Sequence, residues 1–531
     1  MKTFSGFLAL LLIVVLACGA SRAEPATAEQ VLTCATFVID GQEIDGAMYD
    51  YVLLADQSVR IVKCYDAVDV NSVPEALDGH RVSEIGEHAY AGSWKPIRTL
   101  FIPDCVTTVC PNAFGDVFTR LTLEISATHP TLKVENGMLI SLADKRIIRG
   151  GFTRELTIPE GIEAVDDHAF WGCIASSVYI PASVKQLGRN PFAFCCADAD
   201  TYYALQSVDL SPDNTALEIS DGALFSRADR RLVWCFARQT AESYTIPDGT
   251  AVIDDFAFQR WYKIWSIMIP ASVTQVGINP FLGRRSLEGI QMDRAGRALI
   301  LENGILISTA DRRLVSGSWS NGMIAVRAGI ETIGDFAFRS TGAQYQCIVI
   351  LPDSVTVIGR QAFAYAESAM IYIPAGVRRI GNDAFAECTG ITELPEFSGG
   401  LTIGEGAFYN CTGITRLSVR GGDTSTGENA SRIGTRAFAN CSSLESVTLG
   451  EGVTAIGDQA FYMCGSLSEV SLPESLRSIG RYAFLNSVDR VYEPSFDVYI
   501  TQYFSSVHAQ VPSGSYAEWY CRENGIEFSA R

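Results

Sequence analysis

A two-residue Ala-Phe element that recurs about every 23 residues constrains this chain more than any other feature of its sequence. In the C-terminal half, successive phenylalanines of this element are 25, 22, 23, 30, 23 and 23 residues apart. A unit this short cannot enclose a core alone, so its copies must stack and share one interior. We therefore predict a solenoid whose structural core contains Phe338, Phe363, Phe385, Phe408, Phe438, Phe461 and Phe484.

Each repeat unit indicates a strand that leads through a turn into a tight corner. Residues Leu444 to Leu449 alternate apolar and polar side chains, which is typical of a strand with one buried face. An Ile-Gly pair, such as Ile358-Gly359, then precedes the Ala-Phe element, which we expect to form one short helical turn. The predicted fold is an α/β solenoid, a right-handed stack of parallel strands connected by short helical turns.

Three long gaps between Ala-Phe elements in the N-terminal half contain related insertions, near residues 135–150, 219–235 and 301–316. Each insertion has two apolar runs around a turn that carries an aspartate and basic residues, and this pattern predicts a β-hairpin. Because the three insertions are alike, we infer the tandem duplication of a larger module. We expect the hairpins to decorate the solenoid.

The repeats share a longer motif, in which a strand ending in Ile-Pro precedes Ser-Val-x-x-Ile-Gly-x-x-Ala-Phe-x-x-Cys. Copies of its first part stand at Pro181-Ala182-Ser183-Val184 and Pro270-Ala271-Ser272-Val273. On these residues the chain resembles the BspA-like leucine-rich repeat proteins, over roughly residues 47–528. The resemblance implies adhesion or protein binding at a cell surface, without enzymatic activity. The final cysteine of the motif, also a predicted core position, is present as Cys388, Cys411, Cys441 and Cys464.

The first residues of the chain predict export. Lys2 is followed by a short apolar run and by small residues that suit cleavage near Ala23. Val15-Leu16-Ala17-Cys18 offers an alternative, a lipobox, in which a lipid on Cys18 would attach the protein to a membrane. We expect a monomer that is secreted or held at the cell surface. The predicted regions are a signal peptide at 1–23, an N-terminal capping hairpin region at 24–82, repeats at 83–490 and a C-terminal cap at 491–531.

The sequence carries no signature of a catalytic, metal-binding or cofactor-binding site. Its five histidines form no HExxH or other ligand spacing, and neither a GxSxG elbow nor a phosphate-binding glycine loop is present. We expect His88, His168 and the acid pairs Asp166-Asp167 and Asp254-Asp255 at solvated corners. The net charge of −19 argues against nucleic acid as a partner. We therefore predict no catalytic residue, metal or cofactor.

Six of the fifteen cysteines stand three residues after the repeat's phenylalanine, as in Cys173 and Cys195. In stacked units these thiols would form one column, which suits either small core side chains or, as an alternative, a metal ladder or disulfides. Trp261 stands in the same slot, and this favours packing. Outside the column, spacing alone leaves open whether disulfides join Cys34 to Cys64 and Cys105 to Cys110.

One outward residue on each predicted strand forms a row along the solenoid, and this row is the candidate ligand surface. Exposed aromatic and large apolar side chains on a rigid sheet are typical binding anchors, although such residues also suit strands in general. The predicted partner is an extracellular or host-matrix protein, and the alternatives are a carbohydrate-binding or envelope-organising protein and an enzyme with an unrecognised site. The candidate ligand-binding residues are Phe101, Tyr179, Met268, Ile350 and Tyr372 in the row, and Trp261 and Trp265 in a nearby aromatic cluster.

Overall fold

The computed structural model describes residues 31–33, 36–39, 42–45, 49–64, 72–90, 99–115, 121–195, 205–236, 243–259, 266–283, 287, 289–293, 296, 298–319, 322–339, 346–420, 430–493 and 498–531. In these residues the regular structure is β-strand apart from one helix, Tyr516–Glu523. The predicted signal peptide and Cys18 lie outside the described residues. No helix in the described part of the chain is long and apolar enough to cross a membrane.

Each coil contributes a strand to one column, here called the outer strands, which pair in parallel with the same strand of neighbouring coils within five separate sheets. The strand alternation buries every second side chain and turns the others outward. The outer strands are Thr99–Ile102, Thr122–Ile125, Glu155–Thr157, Ser177–Ile180, Ser207–Leu210, Ser243–Thr245, Ser266–Ile269, Ile290–Met292, Gly322–Ala325, Cys347–Ile350, Met370–Tyr372, Glu396–Phe397, Arg416–Val419, Ser446–Leu449, Glu469–Ser471, His508–Val511 and Glu527–Ala530.

A second column, here called the corner strands, contains the apolar residue that precedes the corner glycine. Ile358 pairs in parallel with Ile333 on one side and Ile380 on the other. The glycine is needed because a Cβ on Gly359 would lie 2.5 Å from the backbone nitrogen of Asp335 in the preceding coil. The corner strands are Thr108–Val109, Ala164–Val165, Gln186–Leu187, Val252–Ile253, Gln275–Val276, Thr332–Ile333, Val357–Ile358, Arg379–Ile380, Thr402–Ile403, Ser431–Ile433, Val453–Ile456 and Ser478–Ile479.

The Ala-Phe corner is a hydrogen-bonded turn and not the short helical turn that the sequence suggested. The residue before the alanine has a left-handed backbone, with φ of 49° at Gln361 and 53° at Asp383, which a right-handed helix does not tolerate. Backbone hydrogen bonds then run between coils, as the Phe363 N–H donates to the Ala384 carbonyl at 2.8 Å. The corners thus form a third line of contact along the stack.

The phenylalanines of the repeat stack on one another inside the C-terminal half. Successive rings from Phe338 to Phe484 are 4.9–5.5 Å apart between centroids and tilted by 1–11°. All seven rings are buried in one hydrophobic cluster that extends from Ile305 to Ile526. The stack therefore gives these coils one shared interior.

The three insertions are internal walls rather than the predicted surface decorations. Each is a three-stranded antiparallel sheet whose last strand pairs in parallel with the next corner strand. All four residues of each middle strand are buried, because the two faces pack against different cores. In the third wall, Leu306 belongs to one hydrophobic cluster, and Ile305 and Ile307 belong to the next. The walls comprise Leu132–Glu135, Met138–Ser141 and Arg146–Arg149; Leu217–Ser220, Ala223–Ser226 and Arg231–Cys235; and Leu299–Glu302, Ile305–Ser308 and Arg313–Gly317.

The two ends of the described chain have different structures. At the C-terminal end the helix buries Ala517, Tyr520 and Cys521 against the last coil, and its N-cap Ser515 accepts a hydrogen bond from the Glu518 N–H. The strands Ser487–Glu493 and Val498–Phe504 form an antiparallel hairpin before it. At the N-terminal end the strands are Val31–Thr33, Thr36–Ile39, Gln42–Asp45, Tyr49–Leu53, Val59–Cys64, Ala76–Leu77 and His80–Ile85.

Candidate functional site

The outer strands of three consecutive coils present two outward rows of apolar side chains. Parallel pairing places Ala325, Ile350 and Tyr372 side by side, and the same register aligns another three residues two positions earlier. Because strand residues two apart face the same side, both rows lie on one surface. This surface, called the apolar patch, consists of Met323, Ala325, Ile348, Ile350, Met370 and Tyr372.

Much of the apolar patch is open to solvent. The exposed fractions are 68% for Met323, 55% for Tyr372, 44% for Met370 and 40% for Ile350. Single exposed apolar residues are ordinary on a protein surface, but a contiguous group of this kind marks an interaction site more often. The patch is the strongest candidate for a functional surface in the described residues.

A rigid support lies directly beneath the patch. The alternate residues of the same strands, Ile324, Val349 and Ile371, are buried in the core. Phe338 and Phe363 stack below them with a centroid distance of 5.3 Å. A surface fixed in this way loses little conformational entropy when a ligand binds, and this favours affinity.

The structure separates the other candidate ligand residues from the patch. Tyr179 is 38% exposed and lies between Thr157 and Asp209 in another sheet. Met268 is half-buried in a third sheet. Phe101 is half-buried in a fourth sheet, where its carbonyl accepts a hydrogen bond from the Val73 N–H. Trp261 and Trp265 lie outside the described residues.

The sequence prediction names Ile350 and Tyr372 of this patch but not Met323, Ile348 and Met370. It followed a single outward position on each strand and did not follow the residue two places earlier, which has the same orientation. The period-two pattern was available in the sequence and could have identified both rows.

Elsewhere, serine and threonine are the most frequent residues at the outward positions of the described outer strands, and the charged residues at these positions are mostly acidic. Among the described strands, Arg416 is the one outward guanidinium. The exposed carboxylates at these positions belong to Glu124, Glu155, Asp209, Glu396, Glu469 and Glu527. Of these carboxylates, Glu396 lies on the strand that follows the patch, and it forms an ion pair with Arg420.

The cysteine column is a set of buried, hydrogen-bonded thiols. Cys388 Sγ donates to the Phe363 carbonyl at 3.1 Å, and Cys411, Cys441 and Cys464 repeat this contact with the preceding coil. Burial raises the pKa of Cys173 to about 11 and raises the pKa of Cys388 further. Thiols with such pKa values are poor nucleophiles and poor metal ligands at neutral pH.

The described residues include no group of three or more His, Cys, Asp or Glu side chains that could hold a metal ion. Cys105 and Cys110, left open as a disulfide pair by the sequence, have free thiols, and burial raises the pKa of both. Cys64 is buried, and Cys34, to which the sequence leaves open a disulfide, lies outside the described residues.

The acid pairs and His168 are not all at solvated corners as expected. Asp254 and Asp255 are buried, and His168 Nε2 lies 3.1 Å from Asp255 Oδ2. Arg231, from the second wall, donates to Asp254 Oδ2 and to the Leu187 carbonyl at the edge of the preceding sheet. Burial raises the pKa of Asp254 against the opposing charge of Arg231.

An arginine of each of the other two walls likewise donates a hydrogen bond to a backbone carbonyl of the preceding sheet. Arg146 donates to the Val109 carbonyl and Arg313 to the Val276 carbonyl, both at 2.8 Å. These arginines satisfy carbonyl groups where a wall interrupts the sheet, and a buried carbonyl without a partner would be costly. We therefore interpret this polar network as a structural joint between modules.

Comparisons with known proteins agree with the repeat architecture. The model for the BspA type leucine rich repeat region matches the chain in six copies, over residues 151–215, 233–298, 317–431 and 423–504. No curated protein matches the chain in sequence.

Three solved structures are similar to the chain at low sequence identity. The pneumococcal vaccine antigen PcpA is 14% identical, covers 94% of this chain and 100% of its own, and has a TM-score of 0.35. A leucine rich cell surface protein from Faecalibacterium prausnitzii is 19% identical, with coverages of 90% and 96% and a TM-score of 0.28. The T. pallidum leucine rich repeat protein is 21% identical, with coverages of 43% and 96% and a TM-score of 0.30.

All three TM-scores are below 0.5, so the assignment depends on the family model and on the repeated coils. The matched ranges cover more than half of the chain. They include the Ala-Phe corners, the stacked phenylalanines and the cysteine column of the C-terminal half. This chain therefore belongs to the BspA-type leucine-rich repeat family.

Proposed function

We propose that this protein is a non-catalytic binding protein of the cell surface or the extracellular space, and that the apolar patch holds a protein ligand. The observation that carries the proposal is the exposure of Met323, Ile350, Met370 and Tyr372 together on one rigid sheet. Rigid aromatic side chains such as tyrosine and adaptable thioether side chains such as methionine provide large contact areas at protein interfaces.

The ligand expected from this surface is a protein with apolar anchor residues surrounded by lysine and arginine. Apolar anchors would cover the patch, and basic residues would be attracted by the acidic outward residues of the solenoid, of which Glu396 lies on the next outer strand. The net charge of −19 strengthens the long-range part of this attraction. Association should therefore slow down as the ionic strength rises.

The proposed location is supported by the export pattern in residues 1–23 and by the family. The neighbour from Faecalibacterium prausnitzii is described as a cell surface protein. The alternative lipobox would attach this chain through Cys18. Mass spectrometry of the mature N-terminus distinguishes a lipidated Cys18 from cleavage near Ala23.

The proposal is tested by capture of a ligand from extracellular and cell-surface protein extracts, followed by affinity measurements on the purified pair. The double variant Ile350→Ser, Tyr372→Ser removes both large residues of one patch row. Because interface anchors each contribute about 2 kcal/mol or more, we expect the Kd to rise at least about a hundredfold.

The matched control is Thr448→Ala, Ser471→Ala, which changes two outward residues at the same strand positions outside the patch. This control should bind like the unaltered protein. Equal affinity of the patch variant and the control would refute the patch as the binding surface. Circular dichroism and thermal unfolding of each variant check that the solenoid remains folded.

A further inference from the structure

Two thioethers flank Ile348 in one row of the apolar patch. Parallel pairing aligns Met323 with Ile348, and Ile348 with Met370. Met323 and Met370 are 68% and 44% exposed. Reagents in solution can therefore reach both methionines while no ligand is bound.

The other methionines in the described residues are less accessible. Met138 is fully buried in the first wall, and Met268, Met292 and Met463 are half-buried. None of these four belongs to the patch. The two most exposed methionines in the described residues are therefore the two that lie in the candidate binding surface.

We propose that Met323 and Met370 are oxidation sites, and that peroxide-class oxidants turn off ligand binding by converting them to sulfoxides. This regulation rests on the proposed function of the patch. In the reaction the thioether sulfur attacks one peroxide oxygen, the O–O bond breaks and an S–O bond forms. The sulfur loses two electrons, the peroxide is reduced, and with hydrogen peroxide the second oxygen leaves as water.

The sulfoxide changes the patch physically. A strong S=O dipole replaces a polarisable apolar sulfur on both sides of Ile348, and a ligand would have to desolvate these dipoles to bind. Neither sulfur is surrounded by the core, so oxidation can proceed without unfolding the coil. The modification is reversible by methionine sulfoxide reductases, so it can act as a switch.

The chemical part of the proposal is tested on the protein alone. Folded protein is exposed to a hydrogen peroxide series, and the sulfoxide content of each methionine is measured by peptide mass spectrometry. We expect Met323 and Met370 to oxidise at least about tenfold faster than the buried Met138. Oxidation of all three at similar rates in the folded protein would overturn the selectivity.

The functional part compares each protein before and after oxidation. The readouts are the Kd for the captured ligand and the fluorescence of a dye that binds exposed apolar surfaces. The unaltered protein and the control variant Met268→Leu should both show a rise in Kd of at least about tenfold after peroxide and a fall in dye fluorescence. The variant Met323→Leu, Met370→Leu should show neither change, whatever its affinity before oxidation.

A loss of binding in the doubly substituted protein after peroxide would overturn the switch, because another site would then be responsible. If the captured ligand bound elsewhere, its Kd would not respond in any variant, whereas selective oxidation and the loss of dye fluorescence would remain. That pattern would count against the proposed function but would leave the oxidation sites established.

Discussion

The apolar patch and the surface two coils further along the chain have the same backbone arrangement and opposite chemistry. That second surface, called the polar face, consists of Arg416, Ser418, Ser446, Thr448, Glu469 and Ser471. In both regions three outer strands pair in parallel and direct two rows of side chains outward. The inward residues of both regions are buried in one continuous cluster.

This difference indicates that the inward positions of the repeat specify folding, whereas the outward positions specify the chemistry of the surface. Inward residues such as Val349 and Val447 are alike in type and burial because they complete the shared core. Outward residues such as Tyr372 and Ser471 differ because the coil does not need them for packing. A binding surface can therefore be placed on any coil at little cost to the fold.

The largest loss of stability is expected from substitutions in the hydrophobic interior that the two regions share. Phe363→Ala, beneath the patch, and Phe438→Ala, beneath the polar face, should each lower the free energy of unfolding by about 3–5 kcal/mol. Both rings are fully buried and stacked on two neighbours. Urea denaturation measures both values, with the exposed substitution Thr448→Ala as the control. If either substitution lowered the free energy of unfolding by less than about 1 kcal/mol, the result would contradict a continuous interior.

The next effect compares two exposed tyrosines on outer strands. Tyr372→Ala, within the patch, should weaken ligand binding by about 2 kcal/mol, whereas Tyr179→Ala should change it by less than about 0.5 kcal/mol. Tyr179 stands alone between Thr157 and Asp209, so no neighbouring anchor excludes water around it. Isothermal titration calorimetry measures both affinities. A larger loss of affinity in Tyr179→Ala than in Tyr372→Ala would indicate that the ligand binds the N-terminal sheets.

The cysteine slot holds different residues in individual coils of the two regions. Ala366 occupies the cysteine slot of a patch coil, while Cys441 occupies the slot beneath the polar face. Cys441→Ala should cost about 1 kcal/mol, because the hydrogen bond to the Phe408 carbonyl and a small volume of packing are lost. Ala366→Cys should be tolerated if its thiol finds the equivalent carbonyl. Thermal unfolding measures the stability of both variants. An unchanged stability of Cys441→Ala would show that the thiol hydrogen bond does not stabilise the fold.

The smallest change in stability is expected when one row of the apolar patch is copied onto the polar face. Ser418→Ile together with Thr448→Tyr copies one patch row onto the polar face and should change the free energy of unfolding by less than about 1 kcal/mol. The dye that reports exposed apolar surface should nevertheless bind the variant more strongly. A large destabilisation would show that outward positions do contribute to folding.

The repeat sequence predicts the stack well because its inward positions are under one constraint, the shared core. Phe338 to Phe484 and the corner glycines recur with the spacing that stacking demands, and the structure buries all seven rings in one cluster. The corner is predicted as helical because the position before the alanine carries no consistent marker of a left-handed residue: Gln361 and Tyr482 stand there as well as Asn112 and Asp383. That conformation is set by the hydrogen bonds to the next coil, as at Gln361, and a single unit cannot reveal them.

The buried polar joint was also missed from the sequence. Asp254, Asp255 and His168 occupy corner positions that are exposed in an isolated coil, and their burial comes from the neighbouring module. The insertions were misjudged for a similar reason. Their four-residue middle strands, such as Met138–Ser141, show no polar alternation, which indicates burial on both faces, but a hairpin pattern alone suggested a surface position.

Hydroxyl-radical footprinting of the protein with its captured ligand tests the central claim most directly, because it reports which side chains the ligand covers. We expect ligand binding to lower the modification rates of Met323, Met370 and Tyr372 several-fold and to leave that of the distant, exposed Trp519 unchanged. Unchanged rates at all three patch residues, with protection elsewhere on the solenoid, would contradict it.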